Sequence, residues 1–337
     1  MKKILYTTEF GSKLYGTTTP NSDTDYKSIY LPDLDDVLTV RPINVHNLKT
    51  NDQFGQKNSA EDVDHEMIPF QKFARDFIEG QTYAVELAFS VLSFNHSAKQ
   101  VHDPRFTEFI RTALARYLND NLKPMVRYAQ AQAHVYGDKG ARLASLNKFK
   151  DKLVATIDSG VDVTTKLAVL EDWVAENTNE FIRMKTVEGS PTQAPQLCVD
   201  VTGKMFPVNI DLQEALSRIN TMISKYGARS QKSAKDGGVD WKAFHHACRI
   251  ALQACDLLTN GSIMFPYKQD RLEYLMKIKL GQMEFDTVVD NLSEILDRIQ
   301  TLHEGENKLR RYTPELREEY EAFLESTVRS LYGVDQK

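Results

Sequence analysis

Two short segments near the N-terminus carry residue types that bind phosphate and metal. Gly11-Ser12 is followed eleven residues later by Asp23-Thr24-Asp25. Side chains alternate between faces along a β-strand, so Asp23 and Asp25 are expected to share one face. Two carboxylates on one face repel unless a cation lies between them, and Mg²⁺ prefers carboxylate oxygens. The pair therefore predicts a metal site, although the preceding TPNS segment is also typical of a simple turn.

Gly11 and Ser12 are expected to form a turn that faces a phosphate. Residues 4–10 predict a strand, and the following SKLYG segment predicts a helix with Ser12 near its N-cap. Backbone N–H groups at a helix start attract an anion. A β-carbon at position 11 would obstruct close approach of the backbone to that phosphate, which favours glycine there.

A third carboxylate is available in the segment EDVDHEMIPF. Its alternation predicts a strand on which Asp62, Asp64 and Glu66 share one face. Laid beside the first aspartate strand, one of these three acids would complete a metal site. The alternative is an edge strand with a solvated acidic face.

Longer stretches of the chain resemble a known family. The segments GSKLYGTTTPNSDTDYKSIYLP and VDHEMIPFQKFARDFIEGQTYAVELAF resemble predicted nucleotidyltransferases of the DNA polymerase beta superfamily, in the group associated with RNA repair pathways. VDWKAFHHACRIALQACDLLTNGSIMFP and MKIKLGQMEFDTVV are similar to that group's C-terminal helical region. The similarity covers about the first 95 residues and residues 238–290. Gly80-Gln81-Thr82 departs from the Gly-Asn-Pro turn of many relatives.

The resemblance implies nucleotidyl transfer assisted by two Mg²⁺ ions. Asp23 and Asp25 would ligate both ions, and the third carboxylate only the catalytic one. Counting back from Lys72-Phe73 in the family pattern selects Asp64 for this position, with Glu66 in reserve. One ion would activate an acceptor hydroxyl while the other stabilises the triphosphate and the pyrophosphate leaving group.

The same resemblance implies a set of nucleotide-binding residues. They are Gly11, Ser12 and Lys13 on the β- and γ-phosphates, and Lys242, His246 and Arg249 in the C-terminal region. The last three are spaced i, i+4 and i+7, so they share one face of a helix. The alternative for that face is an ordinary polar surface with one hydrogen-bonded histidine.

The predicted reaction moves a nucleoside monophosphate from an NTP to a hydroxyl and releases pyrophosphate. The family association favours an RNA or tRNA end as the acceptor. A protein side chain, as in AMPylation, or a small molecule is the enzymatic alternative. A nucleotide-binding regulatory module without catalysis is the alternative of another class. The complete set Asp23, Asp25 and Asp64 argues against that module, because three clustered acids are costly to desolvate.

Composition narrows the class of protein further. The 337 residues are 41% hydrophobic and 26% charged, as in ordinary globular proteins. No segment has the ~20 apolar residues of a membrane span, and the N-terminus lacks the pattern of a signal peptide. Three cysteines without metal-finger spacing fit a reducing compartment, so we expect a cytoplasmic protein.

The net charge of −5 predicts no general attraction to nucleic acid. Local basic clusters exist, and each is either a solvated helix face or a polynucleotide contact. They are Lys148, Lys150 and Lys152; Lys225, Arg229, Lys232 and Lys235; and Lys308, Arg310 and Arg311. The second cluster lies in a predicted basic loop just before Lys242.

The pattern predicts an α+β protein. Strands are expected near 3–9, 23–31, 43–49 and 62–68, with helices near 69–79 and 83–92. Beyond residue 103 apolar residues recur at three- and four-residue intervals, which indicates helices. Pro104, Pro124 and Pro314 each fall near an expected helix start. We predict a nucleotidyltransferase domain with a mixed sheet over 1–100, and a helical domain covering substrate over 101–337 with a β-hairpin insertion at about 181–209.

Overall fold

The computed structural model describes residues 3–39, 42–50, 61–93, 103–188, 194–226 and 239–334, apart from the side chains of 133–139. The chain forms two compact units. The first unit contains Met1–Ala131 and Phe244–Lys337, and the second contains Gln132–Ala243. This division rests on which residues pack together. The predicted domains over 1–100 and 101–337 divide the chain by role instead, and that division stays a prediction.

The first unit contains a four-stranded mixed sheet in the order β1-β2-β4-β3. Strands β1 and β2 are antiparallel, β2 and β4 are parallel, and β3 runs antiparallel to β4. All four strands lie where the alternation of residues predicts them. They are β1 (Lys3–Phe10), β2 (Thr24–Leu31), β3 (His46–Lys49) and β4 (Val63–Pro69).

Helices of the first unit cover one face of this sheet. Tyr6 of β1 stacks on Phe106 with ring centroids 5.7 Å apart, and Phe70 lies edge-on to Phe109 at 5.0 Å. The N-terminal helices are α1 (Gly11–Tyr15), α2 (Leu34–Leu38), α3 (Phe70–Ile78), α4 (Thr82–Val91) and α5 (Pro104–Tyr117). The C-terminal helices are α10 (Gln269–Lys279), α11 (Phe285–Glu304) and α12 (Pro314–Tyr332). The C-terminal chain returns to the sheet domain, since the Tyr320 hydroxyl donates to the Ala74 carbonyl at 2.9 Å.

Two long helices contain the boundaries between the units: α6 (Lys123–Asp158) and α9 (Trp241–Asn260). The three prolines confirm their predicted places, because α5 begins at Pro104, α12 begins at Pro314, and Pro124 is the second residue of α6. Proline suits a first helical turn, where its missing N–H would have no partner.

The second unit has its own sheet and core. Strands β5 (Ile182–Val187), β6 (Gln196–Val201) and β7 (Lys204–Pro207) form an antiparallel sheet in that order. A 3₁₀ turn (Leu167–Leu170) and helices α7 (Glu171–Glu176) and α8 (Leu212–Ile223) accompany it. The predicted hairpin is thus a three-stranded sheet. Thr202 and Gly203 adopt positive φ of 54° and 86°, which closes a tight hairpin turn after β6. This turn lets the chain pair β7 with β6 as the third strand.

None of the described helices is long and apolar enough to cross a membrane. All three cysteines are free thiols and buried. Burial raises the pKa of Cys248 to about 11, so this thiol stays protonated and packs as a small apolar group.

Candidate active site

Three carboxylates meet at the start of β2 and β4. The parallel register pairs Asp25 directly with Asp64, and Asp23 lies just before β2. Asp23, Asp25 and Asp64 are each half-buried, and each offers a ligand oxygen within 4.8 Å of the others. The predicted acidic cluster is therefore present among the described residues. The pairing of β2 with β4 brings its members together.

The Gly11 turn lies against this cluster. Gly11 has φ of +58°, and a β-carbon there would lie 2.1 Å from Asp25 Oδ2. Glycine is therefore required by the Asp25 carboxylate itself, a reason that differs from the expected approach of a phosphate. Phe10, the last residue of β1, is the N-cap of α1, so Ser12 lies in the first turn, two residues after the cap and near it as predicted.

The two residues after Gly11 have different surroundings. Ser12 Oγ is buried and has no hydrogen-bond partner in the described part of the chain. Lys13 is exposed, and its Nζ lies 3.0 Å from Glu9 Oε1. The Ser12 hydroxyl is thus a buried polar group without a partner in the described structure, whereas Lys13 already has a carboxylate partner.

Strand pairing arranges side chains of the helix-covered face in two rows. The row through the cluster reads Lys49, Asp64, Asp25, Phe10 from β3 to β1. The next row reads Asn47, Glu66, Lys27, Thr8. Paired residues of neighbouring strands point to the same face of a sheet.

Two lysines of these rows lie beside acidic side chains of the neighbouring strand. Lys49 Nζ lies 3.9 Å from Asp64 Oδ1, and Lys27 forms an ion pair with Glu66. Lys27 Nζ also lies 5.0 Å from the centre of the Phe10 ring. Glu66, the reserve candidate for the third metal ligand, thus lies one row away from the acidic cluster and is bonded to a lysine.

An aromatic side chain of α4 borders the second row. The Tyr83 ring centre lies 5.5 Å from Lys27 Nζ, and its hydroxyl donates to Asp76. Lys72 Nζ donates to the same Asp76 carboxylate at 2.6 Å. Burial and the Asp76 hydrogen bond raise the pKa of Tyr83, so its hydroxyl stays protonated.

Arg249 occupies a buried cluster behind α1. Its guanidinium forms an ion pair with Glu86 of α4, and both side chains are at most 6% exposed. The Tyr15 hydroxyl donates to Glu86 Oε2 at 2.9 Å, and Gln253 Nε2 donates to Glu86 Oε1 at 2.9 Å. Arg249 also lies over the Tyr15 ring at 3.9 Å.

The direction of the Arg249 pKa shift agrees with a charged guanidinium inside this cluster. Burial alone would lower the pKa of Arg249, yet the Glu86 carboxylate and two tyrosines raise it. Arg249 therefore stays charged and connects α1, α4 and α9. The expected direct contact of Arg249 with a nucleotide stays a prediction, while its observed contacts are with Glu86 and Tyr15.

The other candidates of α9 lie nearer the surface. His246 is half-buried, and Lys242 is exposed at the start of α9. Lys242 belongs to the second unit and His246 to the first. Of the predicted basic loop before Lys242, residues 227–238 lie outside the described residues.

His65 faces away from the carboxylates, as the alternation of β4 predicts. Its Nε2 lies 2.7 Å from Ser28 Oγ, and its ring lies edge-on to Tyr26. Burial lowers the pKa of His65. These contacts fit a neutral histidine that joins β2 to β4.

The donor set fits a divalent metal ion. Mg²⁺ binds carboxylate oxygens and keeps several waters, so it needs only a few protein ligands. Asp23, Asp25 and Asp64 provide three such oxygens close together, at a half-buried position that leaves room for water.

Sequence reasoning missed the two lysines of the rows. Lys27 follows Asp25 by two residues, so the alternation rule places it on the same face and would have found it. Lys49 has no signal in the sequence, because only the register of β3 on β4 brings it beside Asp64.

Comparison with known proteins gives one family and one relative. Residues 1–139 match the RlaP family, described as the RNA repair pathway DNA polymerase beta family. The chain is similar to an uncharacterized 38.9 kDa protein in the nrdC-mobD intergenic region of Enterobacteria phage T4. The two are 28% identical over 307 residues, which cover 88% of this chain and 89% of the phage protein. No solved structure matches the chain.

Proposed function

Since residues 1–139 match the RNA repair pathway DNA polymerase beta family, a group of polymerase-beta-like nucleotidyltransferases, we propose that the protein transfers an NMP from an NTP to the hydroxyl of an RNA or tRNA end. The single observation that supports catalysis best is the convergence of Asp23, Asp25 and Asp64. The family match supports RNA as the acceptor.

In this proposal the three aspartates hold two Mg²⁺ ions. When bound, the ions lower the pKa of the acceptor hydroxyl and neutralise charge on the triphosphate. Asp23 and Asp25 would hold both ions, and Asp64 would hold the one at the acceptor. Glu66 stays in reserve, since its partner in the structure is Lys27. Catalysis then comes mainly from holding the reactants in line and from compensating charge.

The Gly11 turn receives the leaving pyrophosphate in this proposal. Ser12 Oγ supports this assignment, because it is buried and has no partner in the described structure. Lys13 would exchange its exposed Glu9 partner for a phosphate oxygen, which costs little because exposed ion pairs are weak. Lys242 and His246 remain candidates for contact with the nucleotide. Arg249 remains a candidate as well, and it also contacts the Tyr15 ring of α1.

Transfer of label from each α-³²P-NTP to unfractionated tRNA with Mg²⁺ tests the proposal. We expect label on RNA with the wild-type protein and none with Asp25→Asn or Asp64→Asn. Asp62→Asn is the matched control, because Asp62 lies two residues before Asp64 but outside the cluster. Binding of a fluorescent ATP analogue by Asp25→Asn shows whether the nucleotide site remains formed.

The outcomes separate the candidate functions. Label on protein would favour AMPylation, and label on a small acceptor from a cell extract would favour a metabolite. Nucleotide binding without transfer to any acceptor would leave the regulatory module. Equal activity of Asp64→Asn and Asp62→Asn would contradict the assignment of the acidic cluster.

A further inference from the structure

The row of side chains through the acidic cluster has two different ends. At the β1 end lies the Gly11 turn, packed directly against Asp25. At the β3 end lies Lys49, 3.9 Å from Asp64. β3 is the edge strand of the described sheet, so no further strand lies beyond Lys49 in that sheet.

We propose that Lys49 binds a phosphate of the acceptor RNA beside the hydroxyl that receives the nucleotide. This inference rests on the proposed function. In phosphoryl transfer the attacking and leaving oxygens lie roughly in line on opposite sides of the phosphorus. If pyrophosphate leaves toward the Gly11 turn, the acceptor hydroxyl approaches from the Asp64 side, where Lys49 is the neighbouring cation.

The environment of Lys49 fits a phosphate contact. Its side chain is 49% exposed, and the 3.9 Å separation from Asp64 is too long for a hydrogen bond. Such exposed ion pairs contribute little to stability, so the ammonium is free to turn toward another anion. An ammonium forms a stronger, charge-assisted hydrogen bond with a phosphodiester next to the acceptor hydroxyl than with a neutral hydroxyl.

Lys3 provides a matched control. It lies on β1, the other edge strand, and its side chain is 48% exposed. It also has one aspartate partner on a neighbouring segment, Asp103 at 3.2 Å. Lys3 is at the opposite end of β1 from Phe10, seven residues or roughly 23 Å along the strand from the cluster.

The experiment measures the transfer of label to unfractionated tRNA and the binding of a 5′-fluorescein-labelled single-stranded RNA, each over a series of salt concentrations. For Lys49→Ala we expect KM for tRNA to rise about three- to tenfold, with KM for the NTP within about twofold of wild type. The dependence of log affinity on log salt should become shallower by about 0.7, the value of one phosphate contact on a single strand. Lys49→Arg should restore most of the affinity, and Lys3→Ala should change neither KM.

Three results would overturn the inference. Unchanged RNA affinity and salt slope in Lys49→Ala, with an active wild-type protein, would exclude the phosphate contact while leaving the proposed function intact. A change confined to the Mg²⁺ or NTP dependence would show that Lys49 only balances the charge of Asp64. A wild-type protein that labels no RNA would contradict the proposed function and the Lys49 contact together.

Discussion

At the scale of single residues, Gly11 satisfies two separate requirements. Its φ of +58° lies in the left-handed region, which costs an ordinary residue ~1–2 kcal/mol. Its missing β-carbon leaves space for Asp25 Oδ2, which would otherwise lie 2.1 Å away. A substitution of Gly11 would therefore both strain the backbone and displace a candidate metal ligand. Substituting a second glycine that has only the strained backbone separates the two effects.

Gly11→Ala should strongly lower the rate of transfer, and Gly160→Ala should not. Gly160 also has positive φ, of +95°, but a β-carbon there meets nothing within 4 Å. Both variants should lose ~1–2 kcal/mol of stability from backbone strain. Only Gly11→Ala should lose at least ~100-fold in kcat, because it displaces Asp25.

Denaturant midpoints and kcat of the two glycine variants check this prediction. If Gly11→Ala kept wild-type kcat, the Asp25 carboxylate would have to tolerate displacement, and its place in the metal site would be wrong. An equal loss of kcat in both variants would point to strain instead of the contact with Asp25.

Part of this site follows from sequence alone. The alternation of a strand puts Asp23 and Asp25 on one face, and it reduces the third ligand to Asp62, Asp64 or Glu66. The family resemblance selects Asp64, whereas a choice among the three from the residues alone needs the register of β4 on β2, which no local pattern encodes. The same holds for Lys49 and for the Gly11 contact with Asp25, because both join residues far apart in sequence.

At the scale of secondary structure elements, the Glu86–Arg249 pair joins α4 to α9 and supports α1 through Tyr15. Breaking a buried pair by removing one partner leaves an uncompensated charge, which costs ~3–5 kcal/mol. We expect that loss for Arg249→Met and Glu86→Gln. Arg218→Met should change stability by less than about 1 kcal/mol, because the Arg218–Glu214 pair is nearly half exposed at both ends.

Urea unfolding of these variants measures the loss. The double variant Glu86→Leu/Arg249→Met should be more stable than either single variant, since it leaves no unpaired charge. Additive losses in the double variant would contradict the ion pair. The sequence predicts α4 and α9 as helices but not this pair, because 163 residues separate its partners.

The N-terminus of α5 should give the protein a sensitivity to acid. Asp103 is the N-cap, where its side chain accepts a hydrogen bond from the Arg105 N–H at 2.9 Å. The Arg105 side chain, with a smaller contribution from Lys3, lowers the pKa of Asp103 to about 2. In the unfolded chain an aspartate titrates near ~3.9. The folded state therefore gains stability from Asp103 above that value and loses it as the pH falls through about 2.

Two variants separate the cap from the charge. Asp103→Ala should lose ~1 kcal/mol at neutral pH, because it removes the cap acceptor. Asp103→Asn keeps an acceptor, so it should lose less and should show a weaker decline in stability between pH 4 and pH 2 than wild type. Denaturant midpoints over that pH range check this, and parallel declines for wild type and Asp103→Asn would contradict it.

At the scale of the whole molecule, the second unit is a continuous segment within the discontinuous first unit. Its core is formed by its own residues: Leu143, Leu146, Phe149, Leu153, Leu167, Leu170, Val174, Ile182, Val199, Val201, Phe206, Leu212, Ala215 and Ile219. The sequence predicted helices and a small β insertion here, and its division near residue 100 separates roles, which the packing boundary does not test. Residue 131 lies inside the continuous helix α6, so composition offers no signal at the packing boundary.

A fragment of residues 132–243 should fold on its own, because an independent core is what a domain needs. We expect a single cooperative unfolding transition with the far-ultraviolet circular dichroism of a mixed helical and β protein. Leu153→Ala should destabilise this transition by ~2–5 kcal/mol, since Leu153 is fully buried. The same substitution in the intact chain should shift only the corresponding transition, whereas Leu87→Ala in the first unit should leave it unchanged. A fragment that stays unfolded, or a Leu87→Ala effect on both transitions, would show that the second unit depends on the first for its stability.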